Sequence, residues 1–253
     1  MAIIDLEDAV AAEDKDAARE ALVHAWTDIK ADHRPRVLVR INAFSSRWYG
    51  ADVTLMATLS TQSLAGVMLA KSETVAQLAA LAQALPGGAI VPLIESAEGL
   101  HAVGEMASAA RVTCVAFGHL DFQADIGMSS SPDEHELLPA RLAIVLASRR
   151  ANLAAPIDGV TTAIDDAKRL AADTARGRRL GFRAKLCIHP KQVETVNQGF
   201  RATAEEIDWA RRVLEASREH GLGTFTLDGR MVDAPVMQMA RNLLELQVPT
   251  PGV

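Results

Sequence analysis

The chain has 253 residues, a mass of 27.0 kDa, a hydrophobic content of 49% and a formal net charge of −6 at pH 7. A chain of this length and composition can bury a large core, as single barrel-type α/β domains do. Its acidic and basic residues are interspersed, which argues against nucleic acid or an anionic membrane as a partner and favours a small molecule.

The sequence also contains no signal for a membrane or for secretion. No apolar run reaches the roughly 18 to 20 residues that a membrane helix needs. The start MAIIDLED lacks the basic region and the apolar stretch of a signal peptide. Cys114 and Cys187 lie in apolar runs, as expected of buried thiols in a reducing compartment. We therefore predict a cytoplasmic protein.

Short aliphatic runs alternate along the chain with longer stretches of helical period. About seven successive βα units predict a parallel sheet covered by helices, and the apolar character of the strands predicts that both sheet faces are buried. The predicted strands are residues 2–6, 36–42, 65–70, 89–94, 112–118, 156–160 and 184–189, and the predicted helices are residues 13–31, 52–61, 72–85, 97–109, 134–151, 162–180, 190–200, 204–220 and 233–247.

Two regions do not fit this repeat. The segment GMSSSPDEHE, residues 127–136, is predicted to be a surface loop. The two helices predicted after residue 203 extend beyond the barrel. We therefore expect a barrel domain over residues 1–203 and a helical extension over residues 204–253, which could pack on a neighbouring subunit.

Nearly every predicted strand ends in polar or charged residues. In a parallel barrel the carboxyl ends of all strands meet at one face, where active sites of this architecture are built. The strand-end residues, in chain order, are Asp5, Glu7, Asp8, Arg40, Asn42, Lys71, Glu95, His119, Asp121, Asp158 and His189.

Carboxylates that converge at one face repel each other unless a cation lies among them. Oxygen ligands without a set of Cys and His favour a hard ion, and Mg²⁺ usually takes one or two protein carboxylates and leaves positions for substrate oxygens. Glu95 and Asp121 fit as its direct ligands. Each also has a structural interpretation, Glu95 as a helix N-terminal residue and Asp121 as a turn residue.

The basic groups at this face have two interpretations as well. Arg40 can hold a substrate carboxylate bidentately or pair with a protein carboxylate. We expect Lys71 to contribute to substrate binding, but an ion-pair role fits the sequence equally, and nothing local argues for a Schiff-base amine. Asp5, Glu7 and Asp8 could form a charged helix start instead of a site.

Six segments of the chain carry a resemblance to a known family. They are IIDLEDAV (3–10), VRIN (39–42), LIESAEG (93–99), AFGHLDFQADIG (116–127), KLCIHPKQVETVN (185–197) and GRMVDAPV (229–236). Together they resemble the citrate lyase beta-subunit-like branch of the HpcH/HpaI aldolase family. The resemblance implies an oligomeric TIM (β/α)₈-type barrel, a trimer or a multiple, that cleaves or forms a carbon–carbon bond with Mg²⁺.

The resemblance also implies roles for individual residues. Members of this branch begin with an additional strand and helix before the DLED segment, so we expect this barrel to lack that first unit, with the gap covered by rearrangement or by a neighbouring chain. The implied metal ligands are Glu95 and Asp121, the anchors of metal-bound water are Glu7 and Asp8, the substrate-carboxylate ligand is Arg40, and the acid/base that reaches the neighbouring subunit's site is Asp233.

Three hypotheses about function follow. The first is a Mg²⁺-dependent lyase that cleaves a citryl-, malyl- or citramalyl-type CoA thioester to acetyl-CoA and a keto acid. The second is a metal-dependent aldolase that acts on a free 2-oxo-4-hydroxy acid. The third is a non-catalytic subunit that binds a keto acid or serves in assembly.

Overall fold

The computed structural model describes residues 1–220 and 223–245. The chain divides into two compact units, which meet between Val196 and Asn197. This junction lies inside a helix, whereas the predicted boundary after residue 203 falls in the loop that follows the helix. Part of the predicted extension, residues 221–222 and 246–253, lies outside the described residues.

Seven parallel strands form the sheet of the first unit, each paired with the next in chain order. All seven predicted strands are present, and the α/β class is confirmed. In the described part of the chain no backbone pairing joins the first strand to the last, so these two are the sheet edges. The strands are β1 (Ala2–Asp5), β2 (Val37–Ile41), β3 (Gly66–Leu69), β4 (Ala89–Ile94), β5 (Ala116–Phe117), β6 (Ile157–Asp158) and β7 (Ala184–Lys185).

Helices follow the strands at the predicted places. Local capping explains several of their ends: Thr74 and Gln77 form a capping box, and Gly181, at φ 108°, ends the helix that starts after Asp166. The helices are α1 (Lys15–Asp28), α2 (Tyr49–Ser60), α3 (Val75–Ala84), α4 (Ala97–Ala107), α5 (His119–Asp125), α6 (Leu138–Arg150), α7 (Ala167–Leu180) and α8 (Val193–Phe200), with 3₁₀ turns at Ala12–Asp14, Arg34–Arg36, His135–Leu137 and Pro190–Gln192.

Two details differ from the sequence prediction. Helix α5 was not predicted, because seven residues are too few to show a helical period. The prediction of a surface loop over residues 127–136 is wrong at Glu134, whose side chain is buried, and residues His135–Leu137 form a 3₁₀ turn. Partners distant in sequence bury Glu134, which is why composition alone suggested an exposed loop.

Both faces of the sheet are buried, as predicted. Val39, Ile41 and Val67 lie on one face and are fully buried. The other face carries a core cluster of Leu38, Met68, Val91, Leu93 and Ala116. Since residues two apart in a strand share a face, Arg40 and Glu95 continue this second face beyond Leu38 and Leu93. The cluster therefore forms an apolar floor below the charged strand ends.

The second unit contains helices α9 (Ala204–His220) and α10 (Ala234–Glu245), with a hairpin between them. The hairpin strands β8 (Phe225–Leu227) and β9 (Arg230–Val232) were not predicted. Asp228 and Gly229 form its turn with positive φ angles of 52° and 72°, and an Asp-Gly pair between two apolar runs is a hairpin signal. None of the helices described here is long and apolar enough to cross a membrane.

Lys15 joins the segments that follow β1 and β2. Its buried ammonium donates hydrogen bonds to the carbonyl oxygens of Leu6 (2.8 Å) and Glu7 (2.7 Å) and to Oδ1 of Asn42 (2.9 Å). Asn42 in turn donates to Oδ2 of Asp52 at 2.7 Å. This buried network fixes the backbone from which two of the charged strand ends project.

We expect Lys15→Met to lower the free energy of unfolding by about 3 kcal/mol, because removal of a buried charge leaves its acceptors unpaired. Urea denaturation measures the change. The control is Lys168→Met on the exposed surface of α7, which should change stability by less than about 0.5 kcal/mol. Equal effects of the two substitutions would contradict the role given to Lys15.

Candidate active site

A charged cluster lies at the carboxyl ends of the first five strands. Hydrogen bonds, ion pairs and electrostatic effects on pKa values connect its members. We call it the acidic site and define it as Asp5, Glu7, Asp8, Arg40, Lys71, Glu95 and Asp121. The structure thus brings together the first-unit residues to which the sequence analysis gave a metal or substrate role: Glu7, Asp8, Arg40, Lys71, Glu95 and Asp121.

Glu95 follows β4 directly and is only 3% exposed. Its Oε2 accepts a hydrogen bond of 2.8 Å from the backbone N–H of Lys71. Burial is the main cause that raises the pKa of Glu95 to about 8; the charges of Asp121 and Glu7 act in the same direction, and the Lys71 N–H and Arg40 oppose them. The carboxylate form of Glu95 therefore requires additional positive charge nearby.

Lys71 contacts two members of the site with different atoms. Its backbone is left-handed, at φ 48°, a conformation that is uncommon for residues with a side chain. This turn directs the N–H towards Glu95, while Nζ lies 3.5 Å from Oε1 of Glu7. Burial opposes the charge on Nζ, but Glu7, Asp8, Glu95 and Asp121 raise the pKa of Lys71.

The pairing of β4 with β5 brings Glu95 and Asp121 close together. Ile94 is in register with Phe117, and the N–H of Gly118 donates to the oxygen of Ile94 at 2.9 Å. The Glu95 side chain lies directly over Gly118, where a Cβ atom would be 2.4 Å from Cγ of Glu95. Asp121 follows in the first turn of α5, near enough for its charge to raise the pKa of Glu95.

Arg40 is held by a carboxylate on the neighbouring strand. In the parallel register Asp5 is opposite Arg40, and the guanidinium binds both oxygens of Asp5 through Nε, at 2.8 Å, and Nη2. Burial raises the pKa of Asp5, but Arg40 and the backbone N–H groups of Glu7 and Ala9 together lower it more, so that the net shift is downward. Nη1 points to Glu7 at 3.2 Å and Asp8 at 4.0 Å. Asp5 therefore orients Arg40 and leaves the Nη1 end for other partners.

The donor set of the acidic site fits a hard divalent cation. Carboxylates supply the oxygens, and the raised pKa of Glu95 shows that its negative charge lacks compensation. In residues 1–220 and 223–245 no three His, Cys, Asp or Glu side chains form a ready-made coordination shell. Mg²⁺ does not require one, since it keeps several waters and takes one or two carboxylates. Glu95 and Asp121 are the residues that would hold it.

A second charged cluster lies beyond β5 and β6, and of its members the sequence indicated only Asp158. Glu134 accepts hydrogen bonds from Arg141 (2.6 Å) and Arg176 (2.7 Å), and Arg141 also donates to Asp158 at 2.9 Å. The arginines come from α6 and α7, so no local pattern could have revealed the cluster. We call it the arginine cluster and define it as Glu134, Arg141, Asp158, Arg169, Asp173 and Arg176.

Two other predicted residues lie outside the acidic site. His189 precedes a 3₁₀ turn, where its Nδ1 accepts a hydrogen bond of 3.1 Å from the N–H of Lys191. Asp233 belongs to the second unit and precedes α10, where its Oδ1 accepts from the N–H of Val236 at 3.2 Å. This bond is that of a helix N-cap.

The fold and the acidic site together define a barrel-type α/β enzyme whose acidic groups lie at the carboxyl ends of its parallel strands. Residues 1–190 match the HpcH/HpaI aldolase/citrate lyase family. The chain belongs to this family, which confirms the predicted resemblance and the predicted class of enzyme, a carbon–carbon lyase.

Individual relatives agree with this membership. The chain is 36% identical over 252 residues to a citrate lyase subunit beta-like protein of Deinococcus radiodurans, with 96% of this chain and 87% of that protein covered. It is 32% identical over 245 residues to a (3S)-malyl-CoA thioesterase of Cereibacter sphaeroides, with coverages of 96% and 84%. A crystal structure of CitE from Mycobacterium tuberculosis with magnesium, acetoacetate and coenzyme A superposes with a TM-score of 0.84 at 33% identity, with coverages of 96% and 88%.

The contact between Gly118 and Glu95 generates a stability prediction. We expect Gly118→Ala to lower the free energy of unfolding by about 1 to 3 kcal/mol, because the added methyl group overlaps the buried Glu95 side chain. Gly104→Ala is the matched control, since a Cβ atom there meets nothing within 4 Å inside α4. That substitution should stabilise the chain by about 0.5 to 1 kcal/mol. Thermal or urea unfolding distinguishes the opposite signs.

Proposed function

We propose that the chain is a Mg²⁺-dependent lyase that cleaves a citryl-, malyl- or citramalyl-type CoA thioester to acetyl-CoA and a keto acid. The observation that carries this proposal is the buried carboxyl group of Glu95, whose raised pKa reflects burial and the nearby charge of Asp121. Arg40 is oriented by Asp5 in the same site. The superposition on CitE, a protein crystallised with magnesium, acetoacetate and coenzyme A, supports the same ligand classes for this chain.

In this proposal the acidic site has two separate tasks. Glu95 and Asp121 would hold the ion, and Glu7 and Asp8 would accept hydrogen bonds from water bound to it. Bound Mg²⁺ supplies Lewis acidity, which polarises a chelating oxygen of the substrate. Arg40 binds the carboxylate of the keto-acid half through its Nη1 end, since Asp5 occupies the opposite edge. Lys71 adds positive charge at the same place.

Cleavage then requires two proton transfers. A base removes the proton of the β-hydroxyl group, the carbon–carbon bond breaks, and its electron pair passes to the thioester as an enolate. An acid protonates the enolate carbon, which gives acetyl-CoA. We assign the acid/base role to Asp233 of a neighbouring subunit, in a homo-oligomer in which the second unit packs on the next chain.

Hydrolysis of the thioester is the second candidate function. It is favoured by one specific observation, the 32% identity to a (3S)-malyl-CoA thioesterase over 96% of this chain. Lyase action releases acetyl-CoA and a keto acid, whereas hydrolysis releases free CoA and the intact hydroxy acid. The products therefore distinguish the two reactions without any variant.

We expect the purified chain with Mg²⁺ to release acetyl-CoA and a keto acid from at least one of the three thioesters, as measured by chromatography. Glu95→Gln and Asp121→Asn should each lower the rate by about 100-fold or more, because each removes a ligand of the ion. Asp165→Asn, at an exposed surface position, should leave the rate unchanged. Cleavage that is insensitive to both site substitutions would refute the assignment of the acidic site.

Asp233→Asn separates the lyase from an aldolase that acts on a free 2-oxo-4-hydroxy acid. For a CoA-thioester lyase we expect kcat to fall by about 100-fold or more, since a general acid/base is lost. Asp228→Asn is the control in the turn of the same hairpin and should retain full activity. Full activity of Asp233→Asn, with pyruvate released and no requirement for CoA, would favour the aldolase. Binding of a keto acid without any turnover would favour a non-catalytic subunit.

A further inference from the structure

Glu134 is buried against the local preferences of its own segment. Its side chain is 7% exposed, and its backbone is left-handed at φ 53°. A non-glycine residue in this conformation is strained and persists only where the surroundings enforce it. A buried carboxylate is also costly unless it is paired and hydrogen-bonded. The fold therefore holds Glu134 at one defined position.

The arginine cluster provides that compensation and connects Glu134 to several elements. Arg141 is fully buried and donates both to Glu134 and to Asp158 at the end of β6. Arg176 and Arg169, both on α7, donate to Glu134 at 2.7 and 3.3 Å. Glu134 is thus fixed to β6, α6 and α7 at the same time.

The second oxygen of Glu134 faces the start of α5. Oε1 lies 3.8 Å from Nε2 of His119, the first residue of that helix. His119 is 3% exposed and has little freedom to move: a Cβ atom at Gly159 would lie 2.1 Å from its Nδ1, and its ring centroid is 6.2 Å from that of Phe117. His119 therefore packs between Glu134, whose Oε1 lies 3.8 Å from its Nε2 without a hydrogen bond, and the backbone at Gly159 after β6.

Helix α5 depends on such anchors because it has only seven residues. A helix of this length is not stable by itself in water. Its far end is held by Asp125, whose Oδ2 accepts from the N–H of Ala97 at 2.8 Å. Its near end is held by His119. Asp121 lies between these two anchors, two positions after His119, so its placement follows theirs.

We propose that Glu134 is a positioning residue for Asp121: through His119 it fixes the first turn of α5 and so the carboxylate that faces Glu95. Glu134 itself touches neither substrate nor ion. The inference rests on the proposed function in so far as Asp121 is taken to bind Mg²⁺. The ordering of α5 by Glu134 does not depend on the ion.

Two readouts test the proposal on the full chain. In Glu134→Gln we expect amide hydrogen exchange of residues 119–125 to become at least fivefold faster, and the dissociation constant for Mg²⁺, measured by calorimetry, to rise about tenfold. Asp173→Asn is the matched control. Asp173 binds the same Arg169 and Arg176 but has no hydrogen bond or ion pair with His119, so we expect lower stability with normal hydrogen exchange in α5 and normal Mg²⁺ affinity.

A second variant keeps the proposal falsifiable if Glu134→Gln does not fold. His119→Gln leaves the arginine cluster intact and should reproduce the faster exchange and the weaker Mg²⁺ binding. The double variant should bind Mg²⁺ no more weakly than the single variant with the larger effect, because both substitutions act through the same contact. The proposal would be overturned if His119→Gln left the amide hydrogen exchange of α5 unchanged. It would also be overturned if Glu134→Gln and Asp173→Asn had equal effects on Mg²⁺ affinity.

Asp121→Asn distinguishes this failure from failure of the proposed function. If Asp121→Asn leaves the Mg²⁺ dissociation constant unchanged, Asp121 is not a ligand and the assigned metal site is overturned. The exchange of α5 amides in Glu134→Gln and His119→Gln still decides whether Glu134 positions the helix.

Discussion

The burial of the Glu95 carboxylate at the end of β4 is the constraint on which the site depends. Glu95 lies on the same face of the sheet as the apolar floor, with Asp121 and Glu7 close enough to raise its pKa. A carboxylate in such a position favours the neutral acid unless positive charge is supplied. The surrounding structure is arranged to place this group and not to neutralise it fully.

Several otherwise unfavourable features follow from this arrangement. Lys71 adopts a left-handed backbone, which turns its N–H to Glu95. Position 118 has no room for a side chain, because the Glu95 methylene group occupies the space above the Gly118 backbone. Arg40 does not neutralise Glu95 by direct contact, since Asp5 on the adjacent strand holds its guanidinium. Each feature fixes the position of one group of the acidic site.

The sequence was sufficient for the parts of the molecule that depend on local pattern. Seven apolar runs became the seven strands, and the charged residues that follow them do meet at one face, because parallel pairing places carboxyl ends side by side. The sequence was insufficient where strand register or partners distant in sequence determine which side chains meet. The pairing of Asp5 with Arg40 depends on strand register, α5 is too short to show a period, and Glu134 is buried by arginines from α6 and α7.

The two charged clusters of the first unit differ in their balance of positive and negative groups. In the arginine cluster three carboxylates meet three guanidinium groups, so the buried charges compensate one another. Within residues 1–220 and 223–245, the five carboxylates of the acidic site form ion pairs only with Arg40 and Lys71. Repulsion among those carboxylates destabilises the folded chain, and a divalent cation relieves it. A protein that needed only stability could replace these acids with neutral residues, whereas a chain that binds a cation and an anionic substrate has to keep them.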